Sequence, residues 1–357
     1  MSNSPDQSSV LAALEAVKDP ESGRSIVTMG QARDVKTTAN SIELTLALTS
    51  HSSPLKGDVH REASTILSST FNDCSVTINE AIEERAAEKI GEIGLTAKSV
   101  VAVGSGKGGV GKSTVAASVA YGLARTGCKV GLVDADVYGP SIPHLLGVNG
   151  RPAIIDNKIQ PMEKDGLKVM SMGFLVPADE AVVWRGPMLH GAITQFLRDT
   201  EWGELDYLII DMPPGTGDIA LTLSQLLPLS GSVVVCTPQE VALLDAVKAI
   251  AMFNKVQIPI LGMVENMSGF ICPDCDKRYD IFGKGGAEEK ARELDVPFLG
   301  DLPINMQVRI NGDNGAIGSV FEDPIAGPCV ERLTYNLARN LADKAKDDPP
   351  LPTLSVL

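Results

Sequence analysis

Two short stretches of this 357-residue chain combine residue types and spacings that point to chemistry. The first is Gly104-Ser105-Gly106-Lys107-Gly108-Gly109-Val110-Gly111-Lys112-Ser113-Thr114, directly after the apolar run Val100 to Val103. Gly106-x4-Gly111-Lys112-Ser113 satisfies the pattern of a loop that holds phosphates between a strand and a helix. Gly106, Gly108, Gly109 and Gly111 let the backbone curl, so that successive N–H groups, that of Val110 included, face β- and γ-phosphate oxygens. Ser113 and Thr114 open a helix expected over 113–125, whose positive end adds to the attraction. Lys112 neutralises phosphate charge, and the Ser113 hydroxyl is placed to ligate Mg²⁺.

The second stretch is Phe270-Ile271-Cys272-Pro273-Asp274-Cys275-Asp276, in a loop rich in Gly, Pro and Asp. Two thiolates separated by two residues can converge on one metal centre, but zinc or an iron–sulfur cluster usually takes four. The other cysteines, Cys74, Cys128, Cys236 and Cys329, offer no second pair. Cys128 and Cys236 stand in or beside apolar runs, where a thiol behaves as a small hydrophobe. Two copies of the chain sharing their pairs across a twofold axis would supply four thiolates. A bridging 4Fe–4S cluster and a bridging zinc both fit that set. A thiol–disulfide site fits less well, because it normally opens a helix in a thioredoxin-like pattern.

Carboxylates recur at the ends of apolar runs. Val130 to Val133 leads into Asp134-Ala135-Asp136, and Tyr207 to Ile210 leads into Asp211-Met212-Pro213-Pro214-Gly215-Thr216-Gly217-Asp218. Further short apolar runs at Val233 to Cys236 and Ile258 to Leu261 alternate with amphipathic helical patterns. That alternation predicts an α/β fold with a mainly parallel central sheet flanked by helices, and open α/β sheets bind ligands at the carboxyl ends of their strands. Before Ser99 the texture differs and predicts a small α+β unit. It has an apolar periodic stretch at 10–17, strands at 26–35 and 41–48 around an Ala39-Asn40 turn, a helix at 54–67 and a strand at 75–78. The expected division is a small domain at 1–83, a linker at 84–98, the nucleotide domain at 99–343 and a frayed tail at 344–357.

Composition removes other classes. Lys and Arg total 31 against 45 Asp and Glu, a formal net charge of −14. With no basic run, a nucleic-acid partner is not expected. No run of about 18 apolar residues is present, so no membrane span is expected. The first residues lack a signal-peptide pattern, which predicts a cytoplasmic location with reduced thiols.

Gly-Lys-Gly-Gly-Val-Gly-Lys-Ser-Thr resembles the deviant loop of the MinD/ArsA/nitrogenase-iron-protein group of P-loop ATPases. The resemblance implies ATP and Mg²⁺ as ligands and three catalytic residues. Lys107 would reach across a homodimer interface to the partner's phosphates, Lys112 would bind them in its own chain, and Asp136 would position the attacking water. It also implies that Asp211 holds Mg²⁺ through water and that the Pro-Pro-Gly-Thr-Gly segment senses the γ-phosphate. Asn266 in Val264-Glu265-Asn266-Met267 would contact the adenine edge. Taken with Asp-Val-Tyr-Gly-Pro-Ser, Glu-Asn-Met-Ser, Cys-Pro-x-Cys and Phe-Gly-x-Gly-Gly, the span 99–341 resembles the Mrp/ApbC family of iron–sulfur cluster carrier ATPases. Trp184-Arg185-Gly186-Pro187-Met188 matches that family's run before a helix.

The implied function is an ATP-hydrolysing carrier. It would bind a 4Fe–4S cluster through Cys272 and Cys275 of two subunits and pass it to apo-proteins, working with cluster assembly factors. Alternatives are a structural bridging zinc, an electron-donating ATPase or a partitioning ATPase. The front domain, with Asp19-Pro20-Glu21, resembles the small metal–sulfur-cluster assembly domain of bacterial members. It lacks the cysteine often found after that domain's second strand, where Thr49-Ser50-His51-Ser52-Ser53-Pro54 stands instead. This favours partner contact or a structural role over metal chemistry, with His51 expected to be solvated.

Overall fold

The computed structural model describes residues 5–137, 139–174, 186–215 and 217–347. Within these, residues 5–86 together with 338–347 form one compact unit, and 87–337 form another.

In the first unit, helix α1 (Gln7–Leu14) begins at Asp6, whose side chain accepts the Ser9 N–H in a capping box. Strands β1 (Ala32–Thr38) and β2 (Ser41–Thr49) pair antiparallel around Ala39-Asn40, and helix α2 (Lys56–Thr70) follows. Strand β3 (Ser75–Glu83) then pairs parallel with β2. Val10, Leu14, Ile26, Leu44, Leu46, Ala63 and Leu67 fill the core. The strand expected from Ile26 begins only at Ala32, because Ile26 to Gly30 form turns that place Ile26 in the core. His51 is buried in a 3₁₀ turn (Ser50–Leu55), contrary to the solvated side chain expected. That turn swings the ring inward as the chain leaves β2 for α2.

The second unit begins earlier than the sequence texture indicated. Lys89–Ile90 pairs antiparallel with strand β4 (Leu95–Gly104), so most of the stretch read as a linker at 84–98 belongs to this unit. The first four residues of β4 alternate buried and half-buried, which masked them as a strand in the apolar-run reading. Helix α3 (Lys112–Arg125), strand β5 (Val130–Asp134) and helix α4 (Ile142–Leu146) follow, then strand β6 (Leu167–Ser171) and helix α5 (Gly186–Asp199). Strand β7 (Leu205–Asp211), helix α6 (Gly217–Leu226), strand β8 (Gly231–Cys236) and helix α7 (Glu240–Lys255) continue the alternation. Strand β9 (Ile260–Ile271), strand β10 (Arg278–Tyr279), helix α8 (Gly286–Glu293) and strand β11 (Phe298–Ile304) complete the sheet. Helix α9 (Met306–Asp313) and helix α10 (Ala326–Asp347) end the described chain.

Among the described residues the sheet has ten strands, two of them the short Lys89–Ile90 beside β4 and Met162–Lys164 beside β6, with the principal order β10-β9-β8-β4-β7-β5-β6 and β11 beside β9. Neighbours from β9 to β6 run parallel, and β10 returns antiparallel to β9. Every residue of β5, β7 and β8 is buried, which explains runs of Val, Ile and Leu without alternation. The register brings Ser171, Asp134, Asp211 and Val103 into one row at the carboxyl edge of β6, β5, β7 and β4.

Leu208 on β7 is fully buried at the centre of this sheet. Leu208→Ala should cost about 2–5 kcal/mol, read as a lower midpoint in denaturant at unchanged slope.

Candidate nucleotide site and thiol hairpin

Three loops leave the row of strand ends. The glycine-rich loop links β4 to α3, with Gly111 in the left-handed conformation (φ 78°) as the residue before the helix. A Cβ on Gly106 would stand 2.0 Å from the Asp245 carbonyl, so no larger residue fits there. The loop is tied down by backbone: Met212 N–H donates to Val103 O at 2.9 Å, and Gly215 N–H donates to Ser105 O at 2.9 Å. These two bonds join the segment after β7 to the glycine loop. A cleft of about 280 Å³ is lined by the loop, by Asp136 and Ser141 after β5, and by Pro214 after β7.

Lys112 opens α3 and is buried. Its ammonium donates to Asp211 Oδ1 at 2.6 Å and to Ser113 Oγ at 3.2 Å, and lies 3.7 Å from Asp136 Oδ2. Burial pushes the Asp211 carboxyl above its ordinary range, against the opposing pull of Lys112 and Ser113. Asp211 Oδ2 is buried and has no hydrogen-bond partner among the described residues. A buried carboxylate oxygen beside a serine hydroxyl is hard-oxygen chemistry suited to a divalent cation carried in with phosphates. Lys107 lies half-buried at the rim, and its ammonium makes no ion pair among the described residues.

Asp134 anchors the loop after β5, a place that the strand-end reading passed over in favour of Asp136. Its carboxylate accepts from Asp136 N at 3.1 Å, from Ile142 N at 3.1 Å and from Ser171 Oγ at 3.0 Å. It therefore pins both ends of the segment 136–142 to the sheet. Burial, reinforced by the neighbouring Asp211 charge, pushes its carboxyl up to about 7. The only signal for this role was its place as the last residue of a buried strand. Ser171 carried no signal at all. Tyr138, Thr216, Trp184 and Arg185 lie outside the described residues.

The cysteine pair occupies the turn between β9 and β10. Cys272 N–H donates to Lys277 O at 3.0 Å, and Asp276 N–H donates to Cys272 O at 2.9 Å, closing a tight hairpin. The nearby N–H group of Asp274, with the Cys275 thiol and N–H, holds the Cys272 thiol below its ordinary range. Cys275 is exposed. Cys128 and Cys236 are buried, and burial pushes each thiol up to about 12. No group of three or more His, Cys, Asp or Glu converges into a metal set among the described residues. One copy of the hairpin thus offers two thiols.

Asn266, expected at an adenine edge, directs its Nδ2 to the carbonyl of Val110 in the glycine loop at 2.8 Å. Its neighbour Glu265 is fully buried and accepts from Ser268 Oγ, Gly285 N and Ala287 N, so it fixes the start of α8. In the first unit, the carboxylate of Asp19 in the Asp-Pro-Glu turn is buried and bonded by Ser22, Gln31 and Arg85. Thr49 donates to Glu21 in the same knot. These polar groups are spent on holding the turn.

Residues 96–338 match the family described as NUBPL iron-transfer P-loop NTPase, and residues 7–78 match the family described as iron-sulfur cluster assembly protein. The chain belongs to the NUBPL iron-transfer P-loop NTPase family. The chain is 43% identical over 351 residues to the iron-sulfur cluster carrier protein of Deinococcus radiodurans, covering 97% of this chain and 99% of that protein. It is 46% identical over 278 residues to the iron-sulfur cluster carrier protein of Escherichia coli, covering 77% and 75% of the two chains. A nucleotide-binding protein of Archaeoglobus fulgidus, solved in complex with ADP, superposes with a TM-score of 0.57 at 43% identity, over 64% of this chain and 90% of that one. The cell division ATPase MinD of Pyrococcus furiosus shares the fold at 22% identity and a TM-score of 0.50, over 67% and 98%. No helix among the described residues is long and apolar enough to cross a membrane.

Thiol chemistry separates the two classes of cysteine. At about pH 8, iodoacetamide should modify Cys272 and Cys275 well before Cys128 and Cys236, because the thiolate is the nucleophile and the buried pair holds almost none. Peptide mass spectrometry over a time course gives the order.

Proposed function

We propose that this NTPase binds and hydrolyses ATP, carries a 4Fe–4S cluster between two copies of the chain and passes it to apo-proteins in the cytoplasm. The observation that carries the reading is the β9–β10 hairpin. It presents two thiols two residues apart, and no group of three or more His, Cys, Asp or Glu converges into a metal set among the described residues. Two such half-sites make the four-thiolate set that a 4Fe–4S cluster takes. Tyr279, Ile281 and Phe282, just after the pair, are exposed apolar side chains suited to contact with a second copy. Relatives named as cluster carriers across nearly the full chain support the same cargo.

The nucleotide chemistry follows from charge. The N–H groups of residues 106–113 and the N-terminal end of α3 would hold the β- and γ-phosphates. Mg²⁺ arriving with ATP would be held by Ser113 and, through water, by Asp211, and it would neutralise phosphate charge. Lys112 would move its ammonium from the carboxylates to the phosphates. Asp136, near Lys112 and anchored through Asp134, would orient the attacking water, and Lys107 would contribute its charge to the partner's phosphates. Little general-base strength is needed, since phosphoryl transfer depends mainly on positioning and electrostatics. The first unit would serve partner contact or a structural role, in keeping with an Asp19 knot whose polar groups are already bonded.

Anaerobic reconstitution with iron and sulfide should yield about four irons per dimer, and Cys272→Ser and Cys275→Ser should each lose them. Stoichiometric zinc without sulfide would overturn the cargo assignment. Lys112→Ala should lower ATP turnover by at least about 10²-fold, the scale of removing one preorganised charge-stabilising group, while leaving iron binding intact. Cluster transfer to an apo-protein at the wild-type rate in that variant would overturn the link between ATP and release.

A further inference from the structure

The phosphate loop and the thiol hairpin are joined by one strand. Asn266 on β9 holds the Val110 carbonyl, and Cys272 follows six positions later, immediately beyond the strand's end. The contact is close: a Cβ placed on Gly111 would lie 2.1 Å from Asn266 Nδ2, so the amide presses directly on the loop. A shift of the loop on binding phosphates must move this amide or break its bond.

Between Asn266 and Cys272 the strand is irregular. Its ladder with β11 pairs Asn266 with Leu302 and resumes only at Phe270 with Ile304. Met267 takes a left-handed backbone (φ 60°), costly for a residue with a side chain, and Gly269 takes another (φ 71°). This bulge is clamped on both sides. Ser268 Oγ donates to the buried Glu265 at 2.6 Å, and Arg278 Nη2 donates to the Ser268 carbonyl at 2.7 Å. Arg278 pairs with Ile271 across the base of the hairpin, next to the Cys272–Lys277 closure. A side-chain amide, a strained bulge and a guanidinium therefore form a continuous mechanical link from loop to thiols. Strained bulges held by their surroundings are suited to having two arrangements.

We propose that Asn266 is a positioning residue that transmits nucleotide occupancy of the phosphate loop through the Met267–Gly269 bulge and Arg278 to the Cys272–Cys275 hairpin. This rests on the nucleotide-binding part of the reading above and goes beyond it in naming the route.

The test uses the full-length reduced protein without iron or sulfide, so its result is independent of the cargo assignment. Iodoacetamide alkylation rates at Cys272 and Cys275 are measured by mass spectrometry without nucleotide, with Mg²⁺-ADP and with a non-hydrolysable Mg²⁺-ATP analogue. Saturation is checked by titration with a fluorescent ATP analogue. In the wild type, nucleotide should change the rates by about 5-fold or more, the lower end of typical coupling between sites. In Asn266→Ala and Arg278→Ala, saturated with nucleotide, the change should fall within about twofold. A link that is only structural would shift the baseline rates and leave the nucleotide-dependent ratio intact. Unchanged wild-type rates with nucleotide bound, or a wild-type ratio retained in Asn266→Ala, would overturn the proposal. If Asn266→Ala loses its fold or its nucleotide, Arg278→Ala, outside the phosphate loop, decides on the same ratio.

Discussion

The buried ion pair between Lys112 and Asp211 is the interaction around which the nucleotide half of the molecule is arranged. At 2.6 Å it joins the first residue of α3 to the last residue of β7, two elements far apart in sequence. Either group alone at that depth would tend to neutralise itself, the lysine by losing a proton and the carboxylate by gaining one. Removing one partner of such a pair typically costs about 3–5 kcal/mol, because the other is left uncompensated. The parallel register of β4, β7 and β5 is what holds Asp211 and Asp134 side by side at the same edge. Asp136 stands close by, so two carboxylates share one ammonium. Burial, reinforced by the neighbouring Asp211 charge, pushes Asp134 up to about 7. An incoming triphosphate makes the excess of negative charge worse unless cations and oriented N–H groups come with it. The helix end, the glycine loop and a divalent cation are therefore parts of one electrostatic solution.

What was legible in the sequence follows from how local each constraint is. The glycine loop announces itself because its backbone tolerates few other residues, as the contacts of Gly106 and Gly111 demonstrate. Strand-end carboxylates were visible because fully buried parallel strands read as unbroken apolar runs. The start of β4 was not, since Leu95 to Lys98 alternate like a half-exposed strand and sit in a charged stretch. Ser171, Glu265 and Arg278 were also missed. Each acts through a contact made by tertiary packing, and no short pattern marks a serine that anchors an aspartate 37 positions away. His51 is the converse case, in which a polar loop segment turned out to pack inward.

The two halves of the chemistry meet physically in α7 and β9. The start of α7 lies against the glycine loop through Asp245 and Gly106, and the preceding Pro238 approaches Gly283 and Gly286 beyond the hairpin. Val241 and Leu244 on its outer face are exposed apolar residues.

A half-complete ligand set has a consequence for a carrier. If one chain supplied all four thiolates, the cargo would be held by a preformed closed site, and release would require local unfolding. On the proposed reading, with two thiols per chain, holding the cargo would require two chains to stay together. The affinity for the cargo then depends on the association equilibrium, which small shifts at an interface can move. Asn266 places the phosphate loop within one side-chain bond of the strand that carries those thiols. On the proposed reading, a nucleotide that alters the loop would alter the hairpin that meets the cargo. Coupling of this kind needs no longer pathway than the Met267–Gly269 bulge that separates the amide from the thiols.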